Sequence, residues 1–178
     1  MPSPKSTNRN AKQAPADLSQ AEAQVQLDSF LGKYNPEVET VARRALARMR
    51  KLMPGAIEMV YDNYNWLVIG FSPTERPSDA IFSIVLPPGR VTLCFLQGAG
   101  LPDPANRLLG SGNVVRNIRL YDAGGSDANV LDDPEVLALI NVALNRAKVP
   151  MPAGALRKLI IRAISARQRP RRVTPRKK

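Results

Sequence analysis

Ala80-Ile81-Phe82-Ser83-Ile84-Val85-Leu86-Pro87-Pro88-Gly89-Arg90-Val91-Thr92-Leu93-Cys94-Phe95-Leu96 reads as two apolar strands and a turn. Proline presets one central dihedral of a tight turn, and glycine permits the positive one. The runs Ala80–Leu86 and Val91–Leu96 therefore fold back on each other as an antiparallel hairpin. Parallel strands need a much longer crossover, so this stretch sets the class of sheet.

Outward from the hairpin, Ile57–Tyr61 alternates, with Ile57, Met59 and Tyr61 on one side. Asn65–Phe71 is a further strand, and Val114–Leu120 a fifth after the break Gly110-Ser111-Gly112. Pro102–Leu109 is expected to make a helical turn.

Helices flank the strands. Leu18–Leu31 forms a short one, with Val25, Phe30 and Leu31 inward and Leu27 at the edge of that face. The next is strongly marked: Asn35 as N-cap, Pro36 at the first position, Glu37 and Glu39 at the positive end of the dipole. Val38, Val41, Ala42, Ala45, Leu46, Met49 and Leu52 make one apolar stripe, and Pro54-Gly55 ends it. Asp133-Pro134-Glu135 starts another helix, burying Val136, Leu137, Ile140, Ala143 and Leu144. A last helix is expected from Ala153 to about Arg167, with Leu156, Leu159, Ile160, Ala163 and Ile164 on one face.

The order α-α-β-β-β-β-β-α-α predicts an α+β two-layer sandwich: an antiparallel sheet of about five strands with helices packed on one face. Residues 1–18 are expected to be a disordered arm and 19–150 the globular domain. Residues 151–167 are expected to be a basic amphipathic helix and 168–178 a disordered basic tail.

The chain has 178 residues, no histidine and one cysteine, so it cannot form an internal disulfide, a Cys/His zinc site or a Ser-His or Cys-His catalytic pair. Cys94 lies in an apolar run and reads as a small buried hydrophobe. No stretch approaches the ~18 apolar residues that cross a membrane, and Met1–Asn10 lacks an apolar signal core. These features suit a cytoplasmic protein without a membrane span.

The net charge of +11 is uneven. Residues 1–20 carry +2, residues 21–150 carry −1, and residues 151–178 carry +10 without one acid. The field belongs to the C-terminus, and the body is close to neutral.

The stretch from about Leu27 to Lys148 resembles the YdhG-like family, small bacterial domains of largely unassigned function. The resemblance lies in the Pro36 helix ending in Met53-Pro54-Gly55 and in Met59-Val60-Tyr61-Asp62-Asn63-Tyr64. It continues in Leu108-Leu109-Gly110-Ser111-Gly112-Asn113-Val114-Val115-Arg116-Asn117-Ile118-Arg119-Leu120 and in the helix start Asp133-Pro134-Glu135. It implies a frataxin-like fold, and one branch is associated with iron handling. Frataxin-type proteins place an acidic patch on the first helix. Here the corresponding helix has Glu37 and Glu39 against Arg43, Arg44, Arg48, Arg50 and Lys51, which repel a metal cation. Asp122, Asp127, Asp132, Asp133 and Glu135 lack calcium-loop spacing and read as turn and cap residues. No metal site or cofactor is expected.

Gly110-Ser111-Gly112-Asn113 leads into a strand without the Lys-Ser/Thr of a phosphate loop, so it reads as a turn. Arg116 and Arg119 are three apart on that strand and point to opposite faces. Tyr61, Asn63, Tyr64 and Trp66, with Arg116, form a candidate groove for a small molecule. No activated nucleophile or tuned acid-base pair accompanies them.

The strongest candidate is the cationic C-terminus: Arg157, Lys158, Arg162, Arg167, Arg169, Arg171, Arg172, Arg176, Lys177 and Lys178. Arginine forks suit phosphate, and a basic segment of this kind is an electrostatic footprint for polyanions. The expectation is a non-enzymatic binding domain contacting RNA or DNA without sequence specificity. The alternatives are a solubilising tail, contact with an acidic membrane surface, a frataxin-like iron chaperone, and a small-molecule binder at Tyr61–Trp66.

Overall fold

The computed structural model describes residues 12–13, 18–122, 125–126, 129–154 and 157–173. The chain order is β1 (Lys12–Gln13), α1 (Gln20–Leu31), α2 (Pro36–Leu52), β2 (Ile57–Asp62), β3 (Leu67–Ser72), β4 (Phe82–Leu86) and β5 (Val91–Phe95). Then follow β6 (Arg116–Asp122), β7 (Gly125–Ser126), α3 (Pro134–Asn145) and β8 (Lys158–Ser165). The fold is mixed α+β with one open, mostly antiparallel sheet in the order β1-β8-β2-β3-β4-β5-β6-β7.

Local sequence accounts for most of the elements. Ser19 accepts the Glu22 amide while the Glu22 carboxylate accepts the Ser19 amide, a reciprocal cap that starts α1. Asp133 caps α3 by accepting the Glu135 amide at 2.9 Å. The β4–β5 hairpin forms as expected, with Phe82 opposite Phe95 and Ile84 opposite Leu93. Gly89 supplies the positive φ of its turn, at +75°.

The core lies between one sheet face and the helices. Val60, Leu67, Ile69, Phe71, Phe82, Ile84, Leu86, Leu93 and Phe95 cluster with Leu27, Phe30 and Leu31 of α1, Ala42, Leu46 and Met49 of α2, and Leu139 and Ile140 of α3. Phe82 and Phe95 meet edge to face at 5.2 Å. On the opposite face Tyr61, Val68, Val85, Thr92 and Cys94 are half-buried. There burial pushes the Cys94 thiol up, with a hydrogen bond to Ser83 opposing it.

Several expectations are corrected. The helix expected over 151–167 is instead β8 at Lys158–Ser165. Leu159, Ile161 and Ala163 are buried in alternation. Residues 159, 160, 163 and 164 satisfy a helical spacing and a strand equally well. A vacant sheet edge beside β2, together with three β-branched isoleucines, decides for the strand. Leu156, also placed on that helix, lies outside the described residues.

β8 pairs with β2 in parallel, Ile57 opposite Lys158 and Asp62 opposite Ile164, with a register shift that leaves Arg162 unopposed. The sheet is therefore not purely antiparallel. It has six strands of five residues or more plus a two-residue strand at each edge, against about five expected. A boundary at residue 150 would cut this sheet. Lys12–Gln13, expected to be disordered, pair with Ser165 and Ile164; the rest of residues 1–17 lies outside the described residues.

Smaller corrections follow. Val25 is 69% exposed, because α1 buries Ala23, Leu27, Phe30 and Leu31. Leu137 is only half-buried, and Leu139 takes its place. Pro102–Leu109 forms no helix: the Asp103 carboxylate accepts the Arg107 and Leu108 amides, both at 2.8 Å, and Leu109 bridges to Asn117.

Candidate nucleic-acid interface

β2 carries two carboxylates on the same side as Val60, the side that faces the core. Glu58 and Asp62 are each 1% exposed. Burying a carboxylate without partners is costly, and both have partners from distant parts of the chain. Arg50 of α2 grips Glu58 with two bonds, Nε to Oε1 at 2.8 Å and Nη2 to Oε2 at 2.7 Å. Arg157 adds a third, Nε to Oε1 at 2.7 Å. Asp62 accepts from Lys33 Nζ at 2.8 Å, Arg171 Nη2 at 2.8 Å and the Gln168 side-chain amide.

The C-terminal segment is thus strapped to the domain at both ends of β2. Arg171 also donates to the Asn63 carbonyl, and its guanidinium lies 5.9 Å from the centroid of Tyr34. Tyr34 is itself buried, donating to the Leu86 carbonyl at 2.7 Å and accepting the Leu67 amide at 3.1 Å. Burial pushes its phenol up to about 12, although Arg171 opposes the shift. Beyond Arg171, Asn35 accepts the Val173 amide at 2.9 Å and donates to its carbonyl at 3.4 Å. Asn35 makes no side-chain cap bond to α2, because it serves this segment instead.

The sequence-predicted cations therefore divide. Arg157 and Arg171 are counter-ions of buried carboxylates. Lys158 pairs with Glu75, and Arg162 donates to the Glu75 carbonyl. Lys158 holds the Glu75 carboxyl below its usual range. Arg167, Arg169 and Arg172 are exposed. Arg176, Lys177 and Lys178 lie outside the described residues.

The aromatic candidates divide too. Residues 63–66 form the turn between β2 and β3, closed by the Asn63 amide donating to the Trp66 carbonyl at 3.0 Å. Tyr64 and Trp66 stand out at 45% and 43% exposure. Tyr61 lies on the opposite sheet face with its hydroxyl buried and without a partner among the described residues. Burial pushes that phenol up, against the charge of Arg162.

Arg116 does not join this group. It sits on β6, four strands from β2, and donates to the carbonyls of Gly112 and Val115. The first of these bonds ties the Gly110–Asn113 turn to the protein's own cation. Among the described residues no group of three or more acidic or cysteine side chains is placed to hold a metal ion.

What the structure brings together is the aromatic turn and the C-terminal strap. The Arg169 amide donates to the Tyr64 carbonyl at 2.9 Å, and its guanidinium lies 5.8 Å from the Tyr64 ring centroid. Exposed Arg169 thereby stands against the Tyr64 ring, on the same turn as exposed Trp66, while exposed Arg172 donates to the Gly32 carbonyl at 3.5 Å. The sequence reading missed Lys33, Tyr34, Glu58, Asp62 and Gln168. One signal was present: two acids at alternate positions around Val60 in an apolar strand require cations from elsewhere. No described helix is long and apolar enough to cross a membrane. No family model, curated protein or solved structure matches the chain.

Proposed function

We propose that this is a cytoplasmic, non-enzymatic binding domain that contacts single-stranded RNA or DNA without sequence specificity, through the 63–66 turn and the C-terminal strap. The reading includes a YdhG-like identity for residues 19–150 and a two-layer sandwich architecture to whose sheet Lys158–Ser165 add a strand. The observation that carries it is the docking of Arg169 against Tyr64 with Trp66 exposed on the same turn. Sequence-tolerant single-strand binders combine rings on which bases stack with arginines that track phosphates. Neither ring is needed in the core, and Arg167, Arg169 and Arg172 form no ion pair among the described residues.

Fluorescence anisotropy with oligo-dT and oligo-U at several salt concentrations tests this. If about five phosphates are engaged, log K is expected to fall against log salt with a slope of about −3.5 on single strands. Replacing Trp66 or Tyr64 with Ala should weaken binding by about 1–3 kcal/mol each. Absence of binding in dilute salt, or equal binding by the Tyr64→Ala/Trp66→Ala double variant, would overturn the proposal.

A further inference from the structure

A cavity lies at the opposite end of β4 from the 63–66 turn. Its volume is about 200 Å³. Ile81 and Phe95 supply apolar walls from the sheet, and Ala143 and Ala147 do so from the end of α3. Arg146 and Lys148 stand at its rim. We propose that this cavity binds a small, mainly apolar carboxylate, such as an aryl-alkanoic acid.

Size comes first. An apolar cavity of ~150 Å³ holds a benzene ring, so this one has room for a ring and a short chain. Phe95 offers the ring an aromatic partner, and its own position is fixed by Phe82.

Charge selects the polar end. Arg146 spends one bond, Nη1 to the Gly100 carbonyl at 2.8 Å, and the rest of its fork has no bond among the described residues. Lys148 is exposed and has no ion pair among the described residues. The one acid in the lining, Asp79, accepts the Thr74 hydroxyl at 2.7 Å and the Ser78 hydroxyl at 3.4 Å. Two cations against one occupied carboxylate leave a net positive rim over an apolar floor. At the end of α3 the carbonyls of Val142 and Leu144 already accept the Arg146 and Ala147 amides, and two full side-chain cations outweigh the partial negative charge of the helix end. A carboxylate fits this rim with charge-assisted bonds, while a phosphate ester without an apolar body would leave the floor empty.

Titration of the full chain with 3-phenylpropionate, followed by two-dimensional NMR, tests the assignment, with 3-phenylpropan-1-ol as the uncharged comparison. Saturable shifts centred on Ile81, Phe95, Ala143 and Ala147 are expected, with the alcohol binding about tenfold more weakly. Lys148→Gln, a surface change, is expected to reduce acid binding several-fold and leave the alcohol unchanged. Ala147→Phe is expected to fill the cavity and abolish both. No saturable binding of the acid, shifts located elsewhere, or equal affinity for acid and alcohol would each overturn the proposal. Because the nucleic-acid site lies at the other end of the strands, oligo-dT binding should be unaffected by either variant.

Discussion

Arg171 shows how one side chain can be both cationic and structural. Its side chain is 2% exposed, and it faces an aspartate that is 1% exposed. Removing one partner of a buried pair typically costs about 3–5 kcal/mol. Because Lys33 and Gln168 still bond Asp62, Arg171→Ala is expected to cost about 3 kcal/mol, measured as a lowered urea midpoint. Arg169→Ala, at the exposed ring, should change stability by less than about 0.5 kcal/mol. Equal stability of the two variants would contradict this division of labour. Tyr34 gives a second test. Its phenol is raised from 10.0 to about 12, chiefly by burial. The unfolded chain therefore ionises first as pH rises. This group's stabilising contribution is whole below pH 10 and is lost as pH climbs through about 12. Urea midpoints measured from pH 9 to pH 11.5 should fall more steeply for the wild type than for Tyr34→Phe. At this scale the sequence was partly legible. Caps such as Asp133 depend on near neighbours and could be read. The partners of Asp62 come from residues 33, 168 and 171, and no local pattern announces them.

Elements were legible where one periodicity stood alone. The α2 stripe admits only a helix, and the 80–96 hairpin carries its own turn. β8 was misread because Leu159, Ile160, Ala163 and Ile164 suit both periods, and the deciding factor is a neighbour far off in sequence. The two readings separate cleanly on substitution. In the strand, Ile161 is 5% exposed and packs in the core, while Ile160 is half-buried on the other face. Ile161→Lys should therefore cost more than about 3 kcal/mol, and Ile160→Lys clearly less. Thermal denaturation of the pair settles it, and the reverse order would refute the strand. The outer edge of β8 is also guarded. The Gln20 side chain accepts the Leu159 amide at 2.7 Å and donates to its carbonyl at 3.1 Å, much as a neighbouring strand would.

For the whole molecule, the division into a neutral body and a cationic tail describes composition and not architecture. Residues 157–173 complete the sheet and neutralise Glu58 and Asp62, so part of the positive charge is internal wiring. The candidate interface was half legible for that reason: the cations and the rings were visible separately, but their meeting required the strap. A chain ending at residue 150 should lose its cooperative unfolding transition by circular dichroism. Two buried acids would each lose a guanidinium, and β2 would lose its parallel neighbour. A sharp transition in that truncated chain would show the strap to be dispensable. The strap also bears on kinetics. Ile57 meets Lys158 about a hundred residues away, whereas β2 to β5 follow one another in the chain and each pairs with the next. Contacts so remote in sequence are slow to form, so the hairpins should appear early and β8 should dock after the rate-limiting barrier. Conservative changes such as Ile161→Val would then accelerate unfolding in stopped-flow experiments while refolding proceeds at its original pace.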